Sequence, residues 1–270
     1  MLFSRPDGTL VRDVAPSRRI MPFIMPTRTQ SAVYFEQMID LTKTLPFIEA
    51  WNAAKPERKI TVFHIFTWAA VRALGERPRL NRFVMGSRIW QRDGIWISFS
   101  AKKELKDGAP LVVIKRRFEP NLTLAECVDL IYGDVKEGRS DRPSHVDKEL
   151  GLFLALPGPL LRLGVALLRW LDRWNLLPGS FIHPDPMYAS MFIANLGSVR
   201  LDSAFHHLYE WGNCPFFAAV GRTKEIVTPD GTKRVCSIKY TFDERIEDGL
   251  YCAKGLELLK DRLEDPSATA

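Results

Sequence analysis

The sequence predicts an α/β domain in which helices and strands follow one another along the chain. Three stretches carry this expectation. From Arg234 to Phe242, Val235, Ser237, Lys239 and Thr241 alternate with Cys236, Ile238, Tyr240 and Phe242, the two-residue period of a strand. Directly after it, Leu250, Ala253, Leu256, Leu259 and Leu263 recur at helical spacing up to Asp265-Pro266. Between Thr61 and Arg77, the residues Val62, Phe63, Ile65, Phe66, Ala69, Ala70, Ala73 and Leu74 form an apolar face too wide for a surface helix.

The other elements follow in order. Residues 1–30 read as an extended N-terminal arm rich in Pro, Arg and Met, and residues 31–270 as one domain. Ala32 to Ile39 reads as a strand, and a helix begins at about Pro46, a residue suited to a first helical position. Thr61 is a good N-cap for the apolar helix, which ends at Arg77-Pro78. Two strands flank Asp93-Gly94, a favoured hairpin turn, and Pro110 to Lys115 is a continuous apolar strand. Leu122-Thr123-Leu124 opens a helix carrying Cys127, Val128 and Ile131. Pro229-Asp230-Gly231-Thr232 turns the strand that ends near Gly221 towards the final one.

Composition narrows the function classes. The chain has 270 residues, 46% of them hydrophobic, enough for a large core. Its 38 basic and 32 acidic residues give a net charge of +6, with no run of five like charges and no interleaving of aromatics with Lys and Arg. That argues against a nucleic-acid partner and leaves room for an anionic ligand or an anionic membrane surface. Cys127, Cys214, Cys236 and Cys252 show no CxxC spacing and read as reduced core thiols of a cytoplasmic protein, neither disulfides nor a metal site. The opening Met1-Leu2-Phe3-Ser4-Arg5-Pro6-Asp7-Gly8 is too polar for a signal peptide.

The turn after the last strand carries five charges in six positions: Asp243, Glu244, Arg245, Glu247 and Asp248. With Gly249, it resembles the Asp-His-Arg-x-x-Asp-Gly motif of the acyltransferase component of 2-oxo acid dehydrogenase complexes, to which chloramphenicol acetyltransferase is related. Glu244 stands at the histidine position. Further resemblances fall in the family's order. Ser17-Arg18-Arg19-Ile20-Met21 resembles its Arg-rich opening, and Pro78-Arg79-Leu80-Asn81-Arg82-Phe83 its Pro-x-x-Asn signature. Phe192-Ile193-Ala194-Asn195-Leu196-Gly197 resembles its Thr-Ile-Ser-Asn/Ser-Leu-Gly segment, and Gly212 to Arg222 its Asn-Pro-Pro strand.

The resemblance implies a chloramphenicol acetyltransferase-like sandwich, a mixed β-sheet with packed helices. It implies a homotrimer, or a multiple of three, with active sites at subunit interfaces. Coenzyme A or an acyl-coenzyme A is the implied ligand, with Asn195 beside it. No lipoyl group is expected, because no lipoyl-bearing or subunit-binding domain precedes the arm. In the family the histidine deprotonates a thiol and the Ser or Thr hydroxyl stabilises the oxyanion. Here those positions are Glu244 and Ala194, and Asp248 is the motif aspartate, with a structural role. A free glutamate titrates near pH 4.3, far from a thiol-activating base. Alanine offers the oxyanion nothing, and losing one such donor costs on the order of 100-fold to 1000-fold in rate. The family's usual acyl transfer is therefore not expected.

His206 and His207 are weaker alternatives for chemistry. On an extended segment adjacent residues point to opposite faces, so only one would enter a given site, and no acidic or cysteine partner stands at ligand spacing. Interface or surface histidines are the simpler reading. His64, His145 and His183 show no partner in the sequence.

Residues 150–177 form an apolar insert without a family counterpart. Pro157-Gly158-Pro159 splits it, and the helix that follows puts Arg162, Arg169 and Arg173 on one side against a broad arc of Leu and Trp. It is too interrupted for a transmembrane span. Packing inside the trimer or over a ligand pocket is the first expectation, and a helix lying in a membrane interface is the second. Two function classes remain: an acyltransferase relative with rebuilt chemistry on an acyl thioester or lipid-like ligand, and a non-catalytic trimeric binding or scaffold protein.

Overall fold

A computed structural model of the chain describes residues 4–102, 111–138, 155–229 and 231–268. The main sheet holds six strands in the spatial order β3 (Ala32–Asp40), β10 (Gly231–Asp243), β9 (Phe216–Thr228), β8 (Met191–Asn195), β6 (Ile95–Lys102) and β7 (Leu111–Phe118). β8 runs parallel to both β6 and β9, while the other neighbours are antiparallel, so the sheet is mixed. Strand alternation sorts its two faces. Ile39, Ile97, Phe99, Ile193, Ala218, Val220, Ile238 and Tyr240 point to one side and form the core with three helices.

Those helices are α3 (Val62–Glu76), α4 (Leu124–Gly138) and α7 (Gly249–Glu264). The broad apolar face of α3 is explained by its place between the sheet and its neighbours: Ile65, Phe66, Ala69, Ala70 and Leu74 are all buried. Thr61 caps it as expected, and its backbone N–H donates to Nδ1 of His64 at 3.2 Å. His64 thus has a structural partner that the sequence did not reveal. α2 (Thr44–Ala54) starts two residues before Pro46. All four cysteines are buried free thiols.

Two expectations are corrected. From Ser4 on, the expected extended arm instead carries two strands and a helix. β1 (Ser4–Arg5) and β2 (Gly8–Leu10) make a hairpin turning at Pro6-Asp7, and α1 (Pro16–Ile24) follows with Pro16 at its start. β2 pairs with β5 (Arg88–Arg92), which pairs with β4 (Arg82–Met85), completing a four-stranded second sheet. Asp93-Gly94 is likewise not a hairpin tip, because β5 belongs to this second sheet and β6 to the main one. Gly94 does take the positive φ of +75° that an Asp-Gly turn favours, but the strands on either side diverge. The hairpin lies upstream between β4 and β5. Gly86 and Ser87 both have positive φ there, at +59° and +58°, as a two-residue tight turn requires.

The insert forms α5 (Gly158–Arg173), directly after Pro157, and the short α6 (Gly179–Ile182) follows it. Leu168 and Leu171 pack against Leu177, Ile182 and Tyr188 in a satellite cluster. Among the described residues no helix is long and apolar enough to cross a membrane. Pro110, His145, Asp230 and the first residues of the insert, 150–154, lie outside the described residues.

Candidate active site

The charged turn is held by its own residues. Asp243, the last residue of β10, takes two hydrogen bonds from the Arg245 guanidinium, from Nε at 2.7 Å and Nη2 at 2.6 Å, and both side chains are buried. Asp243 also accepts the Arg245 backbone N–H at 3.1 Å, and Arg245 Nη1 donates to the Met25 carbonyl at 2.9 Å. This clamp folds the chain back so sharply that Arg245 lines one cavity and Glu244 another. The sequence showed the charges without showing which of them paired. A buried, bidentate Asp–Arg pair is the strong form of the interaction.

Glu244 is half-buried. Its N–H donates to the Ser31 carbonyl at 3.0 Å, and its own carbonyl accepts from Arg18 Nη1. It borders a cavity of about 380 Å³ with Val33, Phe35, Phe242, Cys252 and Leu256 on the apolar side. Glu247, Asp248 and Arg18 are its other charged neighbours there. Glu247 is engaged by Arg82 at 3.2 Å and Arg79 at 3.3 Å. Asp248 caps α7, accepting the Tyr251 N–H at 2.9 Å, and that hydrogen bond holds its carboxyl below the usual range. Burial pushes the Cys252 thiol up to about 12, so it stays protonated beside the cavity.

Ala194 lies elsewhere. It sits in β8 opposite Ala219 of β9, beside the cluster formed by Ala189, Phe192, Leu208, Cys214 and Phe217. Asn195 ends the strand, and its carbonyl accepts the Ser198 hydroxyl at 2.7 Å. Ala219 in turn is opposite Lys239 of β10, five residues before Glu244. At the ordinary rise and spacing of strands, Ala194 and Glu244 are roughly 20 Å apart. They also leave opposite faces of the sheet. Ala194 shares its face with Phe192, away from the helices, and Glu244 shares its cavity with the helix-side residues Phe242 and Phe35. One chain does not bring them together.

On the Ala194 face the segment 200–213 crosses the sheet. Ser203 and Ser237 hydroxyls meet at 2.7 Å, Lys239 Nζ donates to the Ser203 carbonyl at 3.2 Å, and the Thr241 hydroxyl donates to the His206 carbonyl. His206 and His207 do not point apart as expected. Their rings stack at 4.5 Å, because the segment is not an extended strand and His206 lies flat on Phe217 at 3.8 Å. Burial against that ring lowers the His206 pKa. The pair is therefore on the same face as Ala194 and away from Glu244. Among the described residues no three His, Cys, Asp or Glu side chains are placed to hold a metal ion.

Comparison with known families and with curated proteins returns no match. Solved structures do match over nearly the whole chain. Dihydrolipoamide acetyltransferase of Azotobacter vinelandii superposes with a TM-score of 0.61 at 18% identity, covering 96% of this chain and 94% of that one. That structure was studied for the role of a serine, a histidine and an asparagine in its catalytic mechanism. The cubic core of a pyruvate dehydrogenase multienzyme complex gives 0.54 at 18% identity, with 96% and 94% covered. Chloramphenicol acetyltransferase gives 0.52 at 13% identity, with 95% and 98% covered. The likeness is one of fold. The chain has the chloramphenicol acetyltransferase-like fold shared by these acyltransferase cores.

Proposed function

We propose that this chain is an acyltransferase relative with altered active-site chemistry, acting on an acyl thioester or lipid-like ligand between the subunits of a homotrimer or a multiple of three. The observation that carries this reading is the separation of Ala194 from Glu244. Two motif positions that lie on opposite faces of one sheet can serve one ligand only when a second chain supplies the other half. The cubic assembly of a neighbour of this fold is in keeping with it. So is the spacing of the catalytic histidine and asparagine in the Azotobacter acetyltransferase, four positions, like that of Glu244 and Asp248.

In this reading Glu244 is the base. Its carboxylate takes the proton of the acceptor as the acceptor attacks the thioester carbonyl, and the departing thiolate takes a proton in turn. Asp248 fixes the helix that forms the cavity wall, and the Asp243–Arg245 clamp fixes the direction of Glu244. Glu244, Glu247 and Asp248 outnumber Arg18 around the cavity, so the uncharged acyl or pantetheine end of a coenzyme A thioester suits it and the phosphates do not. The four buried thiols favour a cytoplasmic setting. Ala194 favours a second reading, a non-catalytic trimer that binds or scaffolds, since it offers the oxyanion no donor.

Acetyl-coenzyme A and a longer acyl-coenzyme A, tested for binding by calorimetry and for thiol release with thiol and alcohol acceptors, separate the two. Thiol release that Glu244→Gln abolishes while binding persists supports the enzyme. Binding without release, in wild type and variant alike, supports the scaffold. Absence of both sinks the thioester reading.

A further inference from the structure

Helix α5 shows solvent two adjacent stripes of different chemistry. At 100° per residue, Leu163, Leu167, Trp170 and Trp174 fall on one side and Arg162, Arg169 and Arg173 on the next, while Asp172 turns into the protein. Among the described residues nothing covers the apolar stripe: Leu163 is 66% exposed, Leu167 and Trp170 53%, and Trp174 45%. α1 repeats the arrangement on a smaller scale, with Ile20, Phe23 and Ile24 exposed beside Arg19. An amphipathic helix ordinarily buries its apolar side. These two present theirs.

The helices border one cleft of about 600 Å³, with Pro22 from α1 and Arg169, Trp170 and Arg173 from α5 in its walls. Arg28, 5% exposed, lines it as well. The Arg28 guanidinium donates to the carbonyls of Tyr209, Glu210 and Val84 at 3.3–3.4 Å, which are long bonds to neutral oxygens. Of the acids of the cleft, Asp172 is held by Arg5 at 2.7 Å and Tyr188 at 2.8 Å, and Glu210 accepts the Thr29 hydroxyl at 2.9 Å and the Arg28 backbone N–H at 3.3 Å. The cleft thus offers a buried cation at its wall and two exposed arginines, Arg169 and Arg173, at its rim.

We propose that this face docks on an anionic membrane, the stripes of α1 and α5 entering the interface while the cleft receives a phosphate headgroup. Charge complementarity selects the occupant. A row of arginines alongside an apolar stripe matches a surface that is apolar within and anionic at its boundary. The same face of a second copy would set arginine against arginine.

The test uses the full chain and vesicles of phosphatidylcholine with or without phosphatidylglycerol. Wild type co-sediments with the anionic vesicles, falls off with salt and ignores the neutral ones. Arg169→Glu with Arg173→Glu, and separately Leu163→Ser with Leu167→Ser, each weaken binding by at least about tenfold. These positions lie outside the Glu244 cavity, so the outcome leaves the acyl-transfer reading standing or falling by itself. Unchanged sedimentation in both variants overturns the proposal. So does a serine variant that still binds vesicles but changes its mass in light scattering, which assigns the face to self-assembly. Binding of inorganic phosphate by wild type, with vesicle binding absent, overturns it in favour of a soluble phosphate ligand.

Discussion

Arg5 and Asp172, 167 positions apart in the chain, meet in a buried ion pair with Nη2 and Oδ1 2.7 Å apart. Arg5 also donates to Asp7 at 2.9 Å, to the Asp172 carbonyl at 3.0 Å and to Asn175 at 3.0 Å. Removing one partner strands the other charge in the interior. Asp172→Ala should cost about 3–5 kcal/mol in chemical denaturation. Arg5→Met with Asp172→Leu should cost less, since Asp172 leaves with its partner and Asp7 keeps Arg92 at 3.8 Å and the Asn213 amide at 2.6 Å. Equal losses in the two proteins would show that packing, not charge, holds the junction.

The same network makes stability depend on pH. Burial alone would raise the Asp7 carboxyl, but Arg5 and Arg92, with hydrogen bonds from Arg5 and Asn213, outweigh it and hold the group below its ordinary value. A carboxyl lowered on folding contributes stability above its unfolded value, near 3.9, and loses it as pH falls through the folded value. Wild type should therefore exceed Asp7→Asn at neutral pH, with the gap closing below about pH 4 in pH-resolved thermal melts. A gap independent of pH would assign the loss to geometry alone.

Light scattering at micromolar concentration should give three chains or a multiple of three. A monomer at that concentration leaves Ala194 and Glu244 unable to meet and removes the ground for a shared site, while a dimer overturns the threefold assembly.

Wild-type protein should show no transfer from acetyl-coenzyme A to dihydrolipoamide or chloramphenicol above background. Glu244→His alone should change little, because the imidazole lacks an oxyanion donor. Ala194→Ser with Glu244→His supplies both groups, and a rate at least about 100-fold above the single variant is the expected gain. Robust wild-type transfer that survives Glu244→Gln would show that another base operates, with His206 the first to replace.

The sequence makes the last strand, the charged turn and α7 legible because two different periods adjoin at a motif. The order of the motifs carried the fold. What stayed hidden depends on contacts distant in sequence. The Asp-Gly at 93–94 correctly signals a positive φ, yet sheet membership is decided by pairing with residues 8–10 and 191–193. The positions of Glu244 and Ala194 could be read, but not that they face away from each other. The shared face of His206 and His207 could not be read, because the orientation of His206 is set by Phe217, eleven residues later and on a different element. A glutamate in a histidine's place is visible in one line of sequence. Its cavity is not.

The way α5 is attached has a mechanical consequence. Among the described residues, the hydrogen bonds that tie it to the rest of the molecule gather at Asp172, beside Asn175. The β4–β5 hairpin presses on the same end: a Cβ on Gly86 would come within 2.3 Å of the Arg173 carbonyl. The helix is a cantilever, clamped at its C-terminal end with its apolar length projecting ahead of the clamp. A force applied along Leu160 to Leu167 arrives as torque at Arg5, on β1, and at Gly86, in the β4–β5 turn of the small sheet. Whatever grips the helix from outside therefore pulls first on the N-terminal hairpin.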